Sequence, residues 1–297
     1  MSLSTVVPST FAEVRDALSR LDAADLSNVE IDNLKDDLTI LFKGYRQRGL
    51  RLDSGNIFYR GRRMSPLDVI DDYTHLTSPP PDKTPIGRCN RENIPVFYCA
   101  SRRNVVFFEL GLRPGDHVLL SRWRTTGDLM FNQVGYTHAA FATLGSMRQP
   151  PPVGDDGHDD HVEKNRLIQR WLAEQFTRPT RSHYKLTIAI TEKMLRSPPF
   201  AGLMYPTVPM KANGDNFAIL PSVANAALDC MWVRRYVVNA VSELDFDALE
   251  LDFASGIRRD VSIAWTGRRG QWDVNGNARV EQDDGEVYED GVLVEPY

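Results

Sequence analysis

Thr10 to Glu13 reads T-x-x-E, the pattern of a capping box, and Phe11, Val14, Leu18 and Leu21 recur after it at helical spacing, which predicts a first helix. Leu34, Leu38 and Leu41 carry the period through a second segment, which runs out in the basic stretch Gly44 to Arg51 with Gly49 as the expected stop. Residues 1–50 thus read as a helical preface, open to three roles: a lid, a partner-binding hairpin, or simple packing. From Ile57 the texture changes to short apolar runs broken by Gly and Pro, namely Ile57 to Tyr59, Pro95 to Ala100 and Val118 to Leu120, which read as strands. Gln149 to Gly157, rich in Pro, Gly and Asp, is expected to be a loop. Glu163 to Phe176 then places Leu167, Ile168, Trp171 and Leu172 on one helical face, and His183 to Leu195 places Leu186, Ile190 and Leu195 on another. Ala201 to Tyr205 and Asn216 to Leu220 are further strand-like runs. From Leu244 the tail alternates like antiparallel strands, with Asn275-Gly276 as a hairpin turn, and it ends in an acidic stretch.

Strands and helices without a strict βαβ alternation indicate an α+β fold rather than a doubly wound sheet. With 297 residues, 42% of them hydrophobic and 25% charged, the chain is long enough for one large domain with appendages and apolar enough to bury a core. The formal net charge of −5 disfavours a surface built to hold polyanions, so nucleic acid is a poor first guess. Cys89, Cys99 and Cys230 are odd in number and form no C-x-x-C pair, which fits a reducing compartment, and a cytoplasmic location is expected. Met1 to Thr10 lacks the pattern of a secretory leader, and no apolar stretch reaches the length of a membrane span.

Glycine-rich phosphate loops, H-E-x-x-H and G-x-S-x-G are all absent. His158-Asp159-Asp160-His161 resembles metal ligands, but adjacent ligands in a Gly and Asp loop rarely converge on one ion, so no metal is expected. The informative stretch is Gly87-Arg88-Cys89-Asn90, then Ile94 to Ser101, then Val105-Val106-Phe107-Phe108-Glu109-Leu110. It sets an arginine, a tyrosine and a glutamate in apolar surroundings, where an unpaired carboxylate is costly and a nearby arginine useful. A purely structural ion pair between Arg88 and Glu109 satisfies the same residues.

In these residues the chain resembles the RES domain family, named for an arginine, a glutamate and a serine. The family's early arginine after a strand falls at Arg60 in Phe58-Tyr59-Arg60-Gly61, its second arginine at Arg88, its aromatic at Tyr98 and its glutamate at Glu109. Its Y-P-S turn appears as Tyr205-Pro206-Thr207, followed by Asn213 to Ile219 in place of its G-x-N-x-x-hydrophobic strand. His183 to Lys193 is similar to the family's Y-x-x-T-Q-x-I-A-E helix, with Thr187, Ala189, Ile190 and Glu192 in matching places. Two departures stand out: Cys89 replaces an aromatic, and Thr207 replaces the serine while keeping its hydroxyl.

The resemblance implies an ADP-ribosyltransferase-like RES core of short mixed strands with flanking helices. It divides the chain into a helical N-terminal extension (1–50), the catalytic core (51–240) and a β-rich C-terminal extension with an acidic tail (241–297). It also implies NAD+ as substrate, cleavage of the nicotinamide–ribose bond, and a role as the toxin of a toxin–antitoxin pair. Glu109 would then face the developing oxocarbenium charge, and Arg60 and Arg88 would hold the pyrophosphate through paired donors. Tyr98 would stack on nicotinamide or ribose, Thr207 would hydrogen-bond phosphate or ribose, and Tyr59 and Asn216 would line the pocket. The acceptor is open between water, inorganic phosphate and a protein side chain, and the partner between an acceptor protein and an antitoxin. The competing expectation is a RES-like binding or regulatory module that has kept the pocket and lost turnover.

Overall fold

The computed structural model describes residues 7–151, 160–195, 199–242 and 246–267, together with the backbone of 270–272, 278–281, 287–289 and 292–294. Helices α1 (Phe11–Ala23) and α2 (Lys35–Phe42) precede strands β1 (Gly49–Leu52), β2 (Ile57–Met64) and β3 (Phe97–Ala100). Helix α3 (Arg103–Glu109), strands β4 (His117–Thr125) and β5 (Leu129–Gln133), and helices α4 (His138–Leu144), α5 (Asp160–Thr177) and α6 (Tyr184–Met194) follow. Strands β6 (Phe200–Pro206) and β7 (Asp215–Ile219), helix α7 (Pro221–Ala227) and the long strands β8 (Leu228–Val241) and β9 (Phe246–Ser255) come next. Short strands β10 (Gly270–Trp272), β11 (Ala278–Glu281), β12 (Val287–Glu289) and β13 (Val292–Val294) follow. The class is α+β.

The chain gathers into two compact units, each made of three segments: residues 1–51, 80–96 and 130–213 in one, and residues 52–79, 97–129 and 214–297 in the other. This partition follows contacts in space, whereas the expected division at residues 50 and 240 follows the chain.

The first unit is mainly helical. The capping box forms as its sequence requires: Thr10 Oγ1 accepts the Glu13 N–H at 3.2 Å, and Glu13 Oε2 accepts the Thr10 N–H at 2.7 Å. Val14, Leu18 and Leu21 are buried, while Phe11, expected on the same stripe, is exposed because it sits in the first turn beyond the core's edge. The second helix stops at Phe42, not at Gly49, since Gly44 takes a left-handed φ of 84° that ends it. Gly49 instead opens β1, which lies beside β5, and β5 pairs in parallel with β6. The preface packs within its own unit, with α1 against α5 and α2 against α6. Trp171 Nε1 donates to Asp22 at 2.7 Å, and Lys185 Nζ donates to the carbonyls of Ser27 and Val29 at 3.0 Å each.

The second unit is an antiparallel sheet in the order β7-β3-β2-β4-β8-β9-β10-β11-β12-β13. Its core is aromatic, with Phe58 against Phe217 at 4.7 Å and Phe97 edge-on to Trp123 at 5.1 Å between ring centroids. Strand β8 falls in a segment to which the sequence assigns no element, although Leu228, Cys230, Trp232 and Arg234 are buried at alternate positions. The tail is antiparallel as expected, and β10 pairs with β11, but the Asn275-Gly276 turn lies outside the described residues, as does most of the Gln149–Gly157 loop.

Candidate functional site

Five of the seven candidate residues belong to the sheet unit and two to the helical unit. In the sheet unit, Glu109 is the last residue of α3, a position where a carboxylate meets the negative end of the helix dipole and gains nothing from it. What holds it is a side chain: Asn216 of β7 donates from Nδ2 to Glu109 Oε1 at 2.6 Å. Asn216 is 6% exposed, so its amide is fixed in the sheet while the carboxylate that it grips is exposed. The start of α3 is tied to the same strand, because the Ser101 N–H donates to the Asp215 carbonyl at 2.9 Å. The apolar run before Glu109 thus forms a helix whose buried residues Val105, Val106 and Phe107 press its body onto the sheet and leave its end open.

Strand alternation sorts the remaining residues. Tyr59 faces Trp232, with ring centroids 6.1 Å apart, and a Cβ on Gly61 would overlap Val106 of α3, so residues 59 and 61 look toward the helix. Tyr59 pairs with Ala100, and Ala100 pairs with Asn216, so Tyr59, Tyr98 and Asn216 share the face that carries Glu109. Arg60 leaves β2 toward the opposite face, with its guanidinium 5.0 Å from the Phe97 ring centroid.

The sheet opens at Arg60. Strands β2 and β3 meet at one bridge, Tyr59 with Ala100, whereas β2 runs on with β4 as far as Met64 and β3 runs on with β7 as far as Phe97. Arg60 Nη1 donates to the Tyr98 carbonyl at 2.9 Å across this opening, and Nε donates to the Leu76 carbonyl at 3.2 Å. Burial pulls the guanidinium pKa down to about 10, with Cys99 opposing and Arg62 adding to the fall, so it still carries its charge at neutral pH. Among the described residues no carboxylate pairs with it. A desolvated cation whose partners are neutral carbonyls is a ready site for an anion.

In the helical unit, Arg88 is half-buried and ends α5: Nη1 donates to the Phe176 carbonyl at 2.9 Å and Nη2 to the Arg178 carbonyl at 3.1 Å. Its guanidinium carbon lies 5.6 Å from the Tyr184 ring centroid and 6.0 Å from that of Tyr205. Thr207 follows β6 and is 0% exposed, and its carbonyl accepts the Ala212 N–H at 2.7 Å. Lys211 and Ala212 take left-handed φ angles of 52° and 59°, backbone strain of the kind that collects in functional turns. Pro206 packs onto Gly135, where a Cβ would come within 2.7 Å of the proline Cδ.

The family model for the RES domain matches residues 62–247, more than half of the chain. The chain belongs to the RES domain family. Arg88, Tyr98, Glu109, Thr207 and Asn216 lie inside the matched span, and Tyr59 and Arg60 lie just ahead of it. Comparison with curated proteins and with solved structures finds no match.

Arg91 and Asp32, which brace the Arg88 turn within the helical unit, are not singled out by the sequence pattern. Thr187 Oγ1 donates to the Arg88 carbonyl at 2.7 Å, and Arg91 joins Asp32 and Glu192 in an ion cluster beside it. Thr187 and Glu192 stand in the family's helix pattern, but Arg91 and Asp32 do not, and the pairing of Arg91 with partners far away along the chain carries no local signal. The three cysteines are buried and outside any disulfide, and burial raises the pKa of Cys99 and Cys230, which makes those two poor nucleophiles. Among the described residues, no group of three or more His, Cys, Asp or Glu is placed to hold a metal ion, and no helix is long and apolar enough to cross a membrane. The His158–His161 cluster lies outside the described side chains.

Proposed function

We propose that this RES domain consumes NAD+, breaking the bond between nicotinamide and ribose and passing ADP-ribose to water, inorganic phosphate or a protein. The observation that carries the reading is the Glu109 carboxylate, open to solvent at the end of α3 and held at 2.6 Å by buried Asn216. When the C1′–N bond breaks, its electron pair leaves with nicotinamide, which departs neutral, and positive charge grows on the ribose. A carboxylate fixed beneath that charge stabilises the transition state more than the ground state. An acceptor oxygen then bonds to C1′ and gives up its proton to Glu109 or to solvent. No second acid is needed, because the leaving group requires no proton, unlike that of a glycosidase.

Arg60 is proposed as an anchor for the pyrophosphate, supported by its charge and its lack of a carboxylate partner among the described residues. Arg88 is proposed as the second anchor, Tyr98 and Tyr59 as walls for the ring systems, and Thr207 as a hydroxyl near phosphate or ribose. An ADP-ribosyltransferase-like fold, a cytoplasmic location and restraint by an antitoxin protein belong to the same proposal, because unrestrained NAD+ consumption would harm the cell that makes the enzyme. The second reading, a nucleotide-binding RES module without turnover, draws on two observations. Thr207 is completely buried, and both Nη atoms of Arg88 already bond to carbonyls.

A time course of NAD+ with purified protein, with and without phosphate, tests the proposal. Loss only with phosphate identifies a phosphorylase, and loss in both identifies a glycohydrolase. Glu109→Gln is expected to lower turnover about a thousandfold. Full turnover by Glu109→Gln would overturn the mechanism, and NAD+ binding without loss would favour the binding module.

A further inference from the structure

The turn that presents Arg88 is short and heavily tied. The Gly87 N–H donates to the Asn90 carbonyl at 3.0 Å, and the buried Asn90 amide donates to the carbonyls of Pro85 and Arg91 at 2.9 and 2.8 Å. Three residues beyond Arg88, Arg91 is gripped by two carboxylates at once. Its Nε and Nη2 donate to Glu192 of α6 at 2.6 and 3.0 Å, and its Nη1 and Nη2 donate to Asp32 at 3.0 and 2.6 Å. Asp32 sits in the single helical turn Ile31–Leu34 that leads into α2, so one of these carboxylates comes from the N-terminal extension.

We propose that the N-terminal extension is a positioning element for the Arg88 turn and acts through the Asp32–Arg91 contact. This rests on the reading that Arg88 grips the dinucleotide. The extension can bear such a role because its own seat is firm: Leu34, Leu38 and Leu41 are buried, and α2 packs on α6, the helix that supplies Glu192 and Thr187. Lys35 joins Asp32 to Glu192 and closes the ring of charges without touching the turn. A guanidinium forked between two carboxylates fixes direction as well as distance, which a single exposed ion pair does not. Because Asp32 is 65% exposed, its pair with Arg91 adds little to overall stability, and its effect falls on the orientation of the turn.

The test uses the full-length protein and measures KM and kcat for NAD+ together with amide hydrogen exchange over residues 85–92. Arg91→Met is expected to raise KM about tenfold and Asp32→Asn about threefold, with kcat kept and exchange over 85–92 accelerated in both. Lys35→Met should change neither. Arg91→Met combined with Asp32→Asn should be no worse than Arg91→Met alone, since Asp32 acts through Arg91. Arg91→Lys should not restore KM, because an ammonium cannot fork between both carboxylates. Unchanged exchange in Asp32→Asn and Arg91→Met overturns the proposal, as does faster exchange with an unaltered KM. If the unaltered protein neither binds nor consumes NAD+, the proposed function fails, and the exchange data alone decide whether the extension orders the turn.

Discussion

Arg234 and Glu250 of the sheet unit pair at 2.9 Å with side chains 1% and 2% exposed, whereas Arg91 and Asp32 of the helical unit pair at 2.6 Å with side chains 27% and 65% exposed. The buried pair joins β8 to β9, and its guanidinium carbon lies 4.6 and 5.0 Å from the ring centroids of Trp232 and Phe253. The two carboxylates respond oppositely. Burial raises the pKa of Glu250 and Arg234 opposes the rise, while hydrogen bonds from Arg91 and Lys35 hold Asp32 far below the usual carboxylate range. An ion pair near water therefore serves to orient, and one in the core becomes a structural commitment whose loss leaves a stranded charge.

The largest effect is expected from Glu250→Ala, which strands Arg234 in the core and should cost about 3–5 kcal/mol in denaturant unfolding. Arg234→Met should cost clearly less, because Glu250 can take up a proton and become neutral, an escape that arginine lacks. Equal costs would show that the two partners are not distinguished in this way. Gly61→Ala comes next: its Cβ would overlap Val106 and lie 3.0 Å from Leu110 Cδ1, so about 1–3 kcal/mol of stability should be lost. The displaced α3 carries Glu109, so NAD+ turnover should fall more than stability accounts for, and an unchanged rate per folded molecule would separate α3 from the site.

The smallest effect is in pH dependence, and its sign differs between the units. Arg91 and Lys35 hydrogen bonds keep Asp32 depressed and, against a larger burial effect, Glu192 as well. The stability that these two contribute is present above their unfolded values of 3.8 and 4.5 and is lost as pH falls through their folded values. For Glu250, raised above 4.5, the contribution is complete below 4.5 and is lost as pH rises through its folded value. Thermal melts across pH should therefore lose their acid-side slope in Glu192→Gln and the opposite slope in Glu250→Gln. If neither variant changes its slope, these carboxylates do not govern the pH response.

The candidate site is partly legible in the sequence. Arg88, Tyr98, Glu109 and Thr207 stand in a recognisable order along the chain, and the strand and helix patterns around them are local, so the α+β class and most elements can be read. The partners are not legible. Asn216 meets Glu109 from 107 residues away, and Arg91 meets Glu192 from 101. No window of sequence carries such a pairing. Strand β8 escapes the pattern because its buried positions include Arg234, whose burial depends on Glu250 in the next strand.

What the sequence determined by itself is therefore the α+β class, most of the elements and the family, since these rest on periodicity and on residues close together in the chain. Tertiary structure alone decided that Arg60 and Glu109 lie toward opposite faces of one sheet, that Arg88 ends α5, and that α1 packs against α5 and α2 against α6. The physical reason is the same in each case. A hydrophobic pattern states which side of an element is buried, but a polar side chain is satisfied by whatever donor or acceptor the fold brings to it.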